Sequence, residues 1–237
     1  MVVIAQLPVA QAKDHAKEIR GLVEEKIDVD GPGTAILVSR DSVPVYFGGF
    51  GLAELRTRRP ITADSLFDLA SVSKQFTATA ILSLAEANKL RVEDAVSHYL
   101  TDYAVSVKGR SVTIADLLHH VSGLADYTSD DDWHGSNEAF ARLTPETHLR
   151  WLNGTRPRRA PVIKYEYNNS GYVLLALIVE RVSGQSYARY LGEHVFGPAG
   201  MKQTAVLDGT RALSPEAVQG IWSTKLARRS SRRTTPG

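Results

Sequence analysis

Two residues that could act as a nucleophile and its base lie three positions apart where a loop enters an apolar helical segment. Ser71 and Lys74 stand in the run Ser71-Val72-Ser73-Lys74. Residues three apart in a first helical turn share one face, so the Lys74 amine could take the proton of the Ser71 hydroxyl. A cation there opposes the helix dipole and is desolvated by apolar neighbours, which favours the uncharged amine. The alternative interpretation is a serine cap followed by a lysine that extends to solvent.

A second polar group precedes another buried helical segment, about a hundred residues later. Tyr167, Asn168 and Asn169 are consecutive there. The tyrosine could share a proton with Lys74, and an amide could anchor a substrate carbonyl. The alternative is a turn in which asparagine is favoured for its local backbone hydrogen bonds, with a half-buried tyrosine beside it.

Helices dominate the elements that must position these residues. Apolar periodicity and end signals predict helices over 13–27, 72–87, 113–120, 144–152, 170–182 and 185–196. The β-rich runs Thr34–Ser39 and Val43–Phe50 flank Arg40-Asp41-Ser42, which predicts a hairpin, and 51–70 is predicted to be loop. The fold class is therefore α+β, with a small antiparallel sheet portion at about 13–65 and a helical lobe at about 72–207. We place one domain over 1–224.

Composition and charge exclude several classes of function. The net charge of the 237 residues is +2, but 225–237 hold five Lys and Arg residues and no acid. The rest of the chain has 23 basic against 26 acidic residues, so we predict no nucleic-acid partner and a basic, disordered tail. There is no cysteine, and no apolar run approaches the length of a membrane span. The start lacks a basic n-region and contains Pro8, which indicates an ordinary N-terminus and favours the cytoplasm.

Other polar motifs do not predict a metal or a cofactor. His119 and His120 are adjacent and would diverge on a helix, so a packed histidine is the better interpretation than a ligand. Asp130-Asp131-Asp132 lacks the spacing and glycine of a calcium loop, which favours a solvated surface loop. Gly48-Gly49-Phe50-Gly51 does not match a phosphate-binding loop.

Three segments in order resemble one enzyme family. Phe67–Ala78 (FDLASVSKQFTA) closely resembles the nucleophile motif of class C β-lactamases and related penicillin-binding proteins. Leu117–Leu124 (LLHHVSGL) resembles that family's leucine-leucine-x-His-x-Ser-Gly-Leu stretch, and Tyr165–Tyr172 (YEYNNSGY) resembles its Tyr-Ser-Asn box. The resemblance covers roughly residues 30–208 and implies a β-lactamase/transpeptidase-like fold.

The resemblance also implies roles for individual residues. Ser71 would be the acylated nucleophile, Lys74 its base, Tyr167 the proton partner in both half-reactions, and Asn169 the amide that touches the substrate. Asn168 departs from the serine that is common at that position. The implied activity is that of a serine hydrolase acting on a small ester, peptide or β-lactam, without a cofactor or metal.

One motif of the family is missing from the sequence. The triplets Lys-Thr-Gly, Lys-Ser-Gly and His-x-Gly, one of which closes the family's site, do not occur in it. We therefore expect a truncated or frame-shifted product and keep three hypotheses: a working acyl-transferring hydrolase, a catalytically impaired remnant, and a module that captures an acyl group without turnover. Because one hairpin leaves sheet edges uncovered, we also expect poor stability and self-association.

Overall fold

The computed structural model describes residues 9–103, 106–107, 110–129, 144–154, 164–207 and 216–218. The chain divides into two compact units, one comprising Met1–Asp68 with Ala212–Gly237 and the other Leu69–Arg211. Both the predicted basic tail and the predicted loop at Asp130-Asp131-Asp132 lie outside the described residues. The domain boundaries at 1–224 and 225–237 stay predictions.

The first unit combines one helix with short antiparallel strand pairs. Its elements are α1 (Val9–Glu24), β1 (Thr34–Arg40), β2 (Val43–Phe50), β3 (Leu52–Glu54) and β4 (Arg59–Pro60). Helix α1 packs against β2, where the Arg20 guanidinium lies 5.7 Å from the centroid of the Phe50 ring. The loop predicted for 51–70 was therefore wrong in part, because β3 and β4 are too short to give a periodic sequence signal.

The predicted hairpin is confirmed. Strand β1 pairs with β2 from Thr34 opposite Phe50 to Arg40 opposite Val43. Asp41 and Ser42 connect the strands with φ angles of 49° and 64°, as in the mirror-image turns whose twist matches paired strands. Between these ends, Leu37 lies directly opposite Phe47, and both side chains are largely exposed.

The second unit is mainly helical. Its helices are α2 (Lys74–Glu86), α3 (Val96–Tyr99), α4 (Ile114–Leu118), α5 (Pro145–Gly154), α6 (Asn169–Ser183) and α7 (Tyr187–Leu191). Tight 3₁₀ turns span Ala70–Ser73 and Tyr127–Ser129, a π-helical turn spans Gly192–Phe196, and β5 (Ser106–Val107) pairs with β6 (Arg110–Ser111).

Helix α6 is the centre of this unit's core. Leu174, Leu175, Ile178 and Val179 are buried, and the helix packs against α2, α3, α4, α5 and α7. It ends at Gly184, whose φ of 70° suits the left-handed cap position, so the predicted end at Ser183-Gly184 is confirmed. The core thus fixes the position of every residue that α6 carries.

The α+β fold class is confirmed, whereas several helix bounds differ from the sequence predictions. The segment predicted as a helix from Val72 begins with the 3₁₀ turn, and its α-helix starts only at Lys74. The helix predicted over 113–120 is shorter, because Thr113 caps it with a capping box and His120 turns left-handed at φ 57°. The segment predicted as one helix over 185–196 is α7 followed by the π-helical turn.

Within the described residues, no helix is both long and apolar enough to cross a membrane.

Candidate active site

The 3₁₀ turn at the start of α2 brings Ser71 and Lys74 together. Nζ of Lys74 donates a hydrogen bond to Oγ of Ser71 over 3.1 Å, which is the contact expected from their spacing. Ala70, directly before the serine, has a φ of 44°, and the left-handed region is costly for residues other than glycine. The chain therefore enters this turn through a strained residue, and the hydroxyl and the amine share one face.

The turn before α6 supplies the other partners of Lys74. Asn168 caps the helix, because its Oδ1 accepts the N–H of Gly171 over 2.8 Å. Asn169 is the first helical residue, and its Oδ1 accepts from Nζ of Lys74 over 2.9 Å. The amine lies 4.9 Å from the centroid of the Tyr167 ring. The helix cap thus aims two residues of the Tyr-Asn-Asn turn at the amine.

The phenol of Tyr167 takes part in the same group of hydrogen bonds. Burial alone would raise the pKa of Tyr167, but hydrogen bonding to Lys74 and to Ser71, together with the positive charge of Lys74, holds that pKa below its usual value. The side chain is 42% exposed, so a molecule from solvent can reach it. A hydroxyl, an amine and a phenol in mutual contact can pass a proton between them.

Two residues of this site were not found by sequence reasoning. Asp126 is buried and accepts the backbone N–H of Asn169 at Oδ2 over 2.8 Å. The amide Nδ2 of Asn169 donates to the same oxygen over 3.2 Å and to Oγ1 of Thr128 over 3.2 Å. A hint in the sequence is the Asp-x-Thr pattern just after the Gly123 turn, which is typical of local side-chain to backbone hydrogen bonds.

His120 supports the turn from the other side, as a packed histidine. Its ring centroid lies 4.6 Å from that of Tyr167 and 5.1 Å from that of Tyr172. Its Nδ1 accepts the backbone N–H of Asn168 over 3.0 Å. His120 is therefore packed against its neighbours, as predicted, while His119 is exposed. Within the described residues, no three His, Asp or Glu side chains converge as a metal site.

Both the oxygen and the nitrogen of the Asn169 carboxamide form hydrogen bonds with other protein groups. Its oxygen faces Lys74, and its nitrogen faces Asp126 and Thr128. The substrate contact that the family resemblance implies for Asn169 stays a prediction. The geometry adds a contact to Lys74 that the resemblance did not supply.

A cavity of about 280 Å³ borders the amine. Lys74 and Asn169 line one end, and Val173, Ala176 and Leu177 of α6 line an apolar wall. Thr77 of α2 and Tyr187 of α7 also line the cavity and share a hydrogen bond of 2.6 Å between their hydroxyl oxygens. The second unit thus has a partly open cavity beside Lys74.

The chain has an α+β fold, a serine and a lysine in one turn, and a Tyr-Asn-Asn segment that faces them. These features are those of the class of Ser-x-x-Lys proteins. Over residues 18–220 the chain matches the family model described as Beta-lactamase. It is 35% identical over 209 residues to penicillin-binding protein 4* of Bacillus subtilis (strain 168), covering 87% of this chain and 44% of that protein.

Two further comparisons agree with this match. A D-aminopeptidase of Brucella anthropi is 32% identical over 182 residues, covering 76% of this chain and 34% of that protein. The solved structure of a penicillin-binding protein from Bacillus halodurans matches with a TM-score of 0.69 at 27% identity, covering 91% of this chain and 61% of that chain. The chain belongs to the beta-lactamase family. It spans less than half the length of both curated relatives.

Proposed function

We propose that the protein is a serine hydrolase that acts on an ester or amide through an acyl-enzyme, with Ser71 as its nucleophile. The observation that carries the proposal is the 3.1 Å contact between Nζ of Lys74 and Oγ of Ser71. Asn169 holds the same amine from a second direction over 2.9 Å. An amine fixed beside a hydroxyl is the arrangement that a base needs in order to activate a serine.

In the first half-reaction, uncharged Lys74 takes the proton of Ser71 while Oγ forms a bond to the substrate carbonyl carbon. The carbonyl then re-forms, the bond to the leaving group breaks, and the Tyr167 hydroxyl gives that group its proton. The Lys74 ammonium returns a proton to Tyr167. In the second half-reaction, Lys74 takes a proton from water through the Tyr167 hydroxyl, while the water oxygen forms a bond to the acyl carbon. The bond between that carbon and Oγ of Ser71 then breaks, the acid product leaves, and the proton held by Lys74 returns to Oγ.

The substrate class is proposed from the site and the relatives together. One relative is named a D-aminopeptidase and another a penicillin-binding protein, which favours a small peptide or a β-lactam amide. The cavity beside Lys74 has an apolar wall, so a compact apolar substituent would be desolvated there. Short esters of the same size are expected to react by the same steps.

A labelling experiment tests the proposal. Purified protein is incubated with a fluorophosphonate, a fluorescent penicillin and a chromogenic short-chain ester, and the intact protein is then weighed. We expect a mass increase on Ser71 and release of product from the ester. Ser71→Ala must abolish both signals, whereas Ser83→Ala, which removes a hydroxyl from the same helix α2, should retain them.

The same experiment separates the two alternatives. A stable adduct on Ser71 without product release would indicate a module that captures an acyl group. No adduct with any of the three reagents would contradict the hydrolase and indicate a catalytically impaired member of the family.

A further inference from the structure

Within the part of the chain that the structure describes, the two oxygens of the buried carboxylate Asp126 accept hydrogen bonds from groups around the proposed site. Oδ1 accepts the backbone N–H of Thr128 over 2.8 Å and its hydroxyl over 2.7 Å. Oδ2 accepts the backbone N–H of Asn169 over 2.8 Å and its side-chain Nδ2 over 3.2 Å. Asp126 is 8% exposed, so these donors take the place of water.

We propose that Asp126 is a positioning residue: it fixes the orientation of the Asn169 carboxamide and thereby directs the lone pair of Lys74 towards Ser71. The inference rests on the proposed function, because a lone pair aimed at Ser71 matters only if Lys74 acts as a base.

The orientation follows from the donors and acceptors present. An ionised carboxylate only accepts, so the NH₂ group of Asn169 must be the end that faces Asp126. The hydroxyl of Thr128 donates its hydrogen to Asp126, which leaves its oxygen to accept from the same NH₂ group. The carbonyl oxygen of Asn169 is therefore the end that faces Lys74.

This orientation constrains the uncharged amine. A neutral amine has two hydrogens and one lone pair. Because Oδ1 of Asn169 can only accept, one hydrogen of Lys74 must point at it, which leaves the lone pair free to turn towards the Ser71 hydrogen. If the carboxamide were reversed, its NH₂ group would compete with Ser71 for that lone pair.

The hydrogen-bond donors around Asp126 also favour its ionised state. Burial would raise the pKa of Asp126, but hydrogen bonds from the backbone N–H of Asn169 and from the hydroxyl and N–H of Thr128 outweigh burial and lower that pKa. The carboxylate is thus charged at neutral pH.

The variant Asp126→Asn tests the proposal sharply. Either orientation of the new amide places its NH₂ group against a backbone N–H, that of Thr128 or that of Asn169. We expect Asn169 to lose its fixed orientation and the rate of Ser71 acylation to fall roughly 10- to 100-fold, the range that a small misplacement costs. The matched control is Asp116→Asn, which alters a buried carboxylate that caps α4 and bonds to Thr113 and Arg110.

Two measurements are made on the full chain. The first follows the NMR signals of the Asn169 side-chain amide, identified by their absence in Asn169→Ala. We expect two separated, exchange-protected protons in the wild type and in Asp116→Asn, and averaged, unprotected ones in Asp126→Asn. The second measures the rate of labelling by a fluorophosphonate between pH 5 and pH 9. Only Asp126→Asn should change the shape of that profile.

The outcomes are separable from those of the proposed function. If Asp126→Asn keeps protected amide signals or the wild-type rate profile, the positioning role is overturned. If the wild type is never acylated, the hydrolase proposal fails, while the amide signals still decide whether Asp126 orients Asn169. Should Asp126→Asn not fold, Asp126→Glu decides, because it keeps the charge but displaces the carboxylate by one methylene from the Asn169 amide. Unchanged amide signals together with the wild-type rate profile in that variant would overturn the proposal.

Discussion

Nδ1 of His120 accepts the backbone N–H of Asn168 over 3.0 Å and so ties the end of α4 to the turn that carries Tyr167 and Asn169. The carbonyl oxygen of the same histidine accepts the N–H of Glu166 over 2.8 Å. His120 therefore accepts two hydrogen bonds from the segment that leads into α6. The left-handed backbone of His120 is a conformation that asparagine also tolerates.

The first prediction concerns acid pH. Burial lowers the pKa of His120, and the positive charge of Lys74 lowers it further, against opposing effects of Asn168 and Asp126. Protonation would set N–H against N–H at Asn168, so protonation of His120 should slow the acylation of Ser71 at pH values below about 6.5, the usual pKa of histidine. In His120→Asn, whose oxygen can accept the same bond, the ratio of variant to wild-type rate should rise as the pH falls. Equal ratios from pH 5 to pH 7 would contradict this.

The second prediction concerns the proposed base. Lys74→Arg keeps a positive charge but cannot give up its proton in this pH range. We expect the rate of fluorophosphonate labelling to fall by about 10²–10⁴-fold, the contribution of general base catalysis. Lys89→Arg, at an exposed position just after α2, should label like the wild type. Labelling of Lys74→Arg at the wild-type rate would exclude Lys74 as the base.

The third prediction concerns Tyr167. Its pKa lies below the usual value of 10.0, whereas burial raises the pKa of Tyr103, Tyr172 and Tyr187. Ultraviolet titration of the wild type minus Tyr167→Phe should therefore show one phenol with a midpoint below pH 10. The variant should also acylate more slowly, by about 10²-fold. A difference titration centred above pH 10 would show that Tyr167 lacks its contacts with Lys74 and Ser71.

The fourth prediction concerns His148, which is fully buried among Tyr127 and Trp151. Neither ring nitrogen has a hydrogen-bond partner within the described residues, and burial lowers the pKa of His148 to about 4. The unfolded chain binds this proton near pH 6.5, so the free energy of unfolding should fall as the pH drops from about 6.5 to 4. The expected loss is about 3 kcal/mol from this residue.

The variant His148→Phe isolates that effect, because a ring of similar size cannot titrate. Urea unfolding at several pH values should give a flatter dependence on pH for His148→Phe than for the wild type. His119→Gln, at an exposed histidine, should parallel the wild type. Parallel curves for His148→Phe would show that the buried ring does not control acid stability.

The fifth prediction concerns self-association. Leu37 is 60% exposed and Phe47 is 48% exposed, and they form a directly opposed apolar pair on the hairpin. Within the described residues, β1 and β2 each pair only with the other, which leaves an outer edge on each strand. Leu37→Lys should reduce association measured by sedimentation, whereas Leu82→Lys, at an exposed leucine of α2, should not. A monomeric wild type at all concentrations would contradict this.

The sequence could predict the proposed site residues because their spacing and order are local properties. Ser71 and Lys74 lie in one turn, and Asn169 begins a helix whose apolar character is plain. Asp126 and Thr128 could not be found in this way, since their role depends on a contact with Asn169 across 43 and 41 residues. Such contacts are set by how the segment after α4 packs against α6, which periodicity does not encode.

The helices and strands divide in the same way, into those with a local sequence signal and those without one. Long periodic segments such as α6 were predictable, and so was the hairpin with its short polar turn. The two-residue strand β4 and the 3₁₀ entry to α2 carry no periodic signal, and the positive φ of Ala70 breaks a preference that alanine normally obeys. Those departures are imposed by tertiary structure.

Helix α6 contributes many of the buried residues of its unit and begins with Asn169, one of the partners that hold the amine of Lys74. The same helix is therefore both the centre of the core and the support of a residue of the proposed site. Substitutions that loosen the packing of α6 would also displace Asn169. We therefore expect changes in substrate choice to arise in the segments around α6 and not in the helix itself.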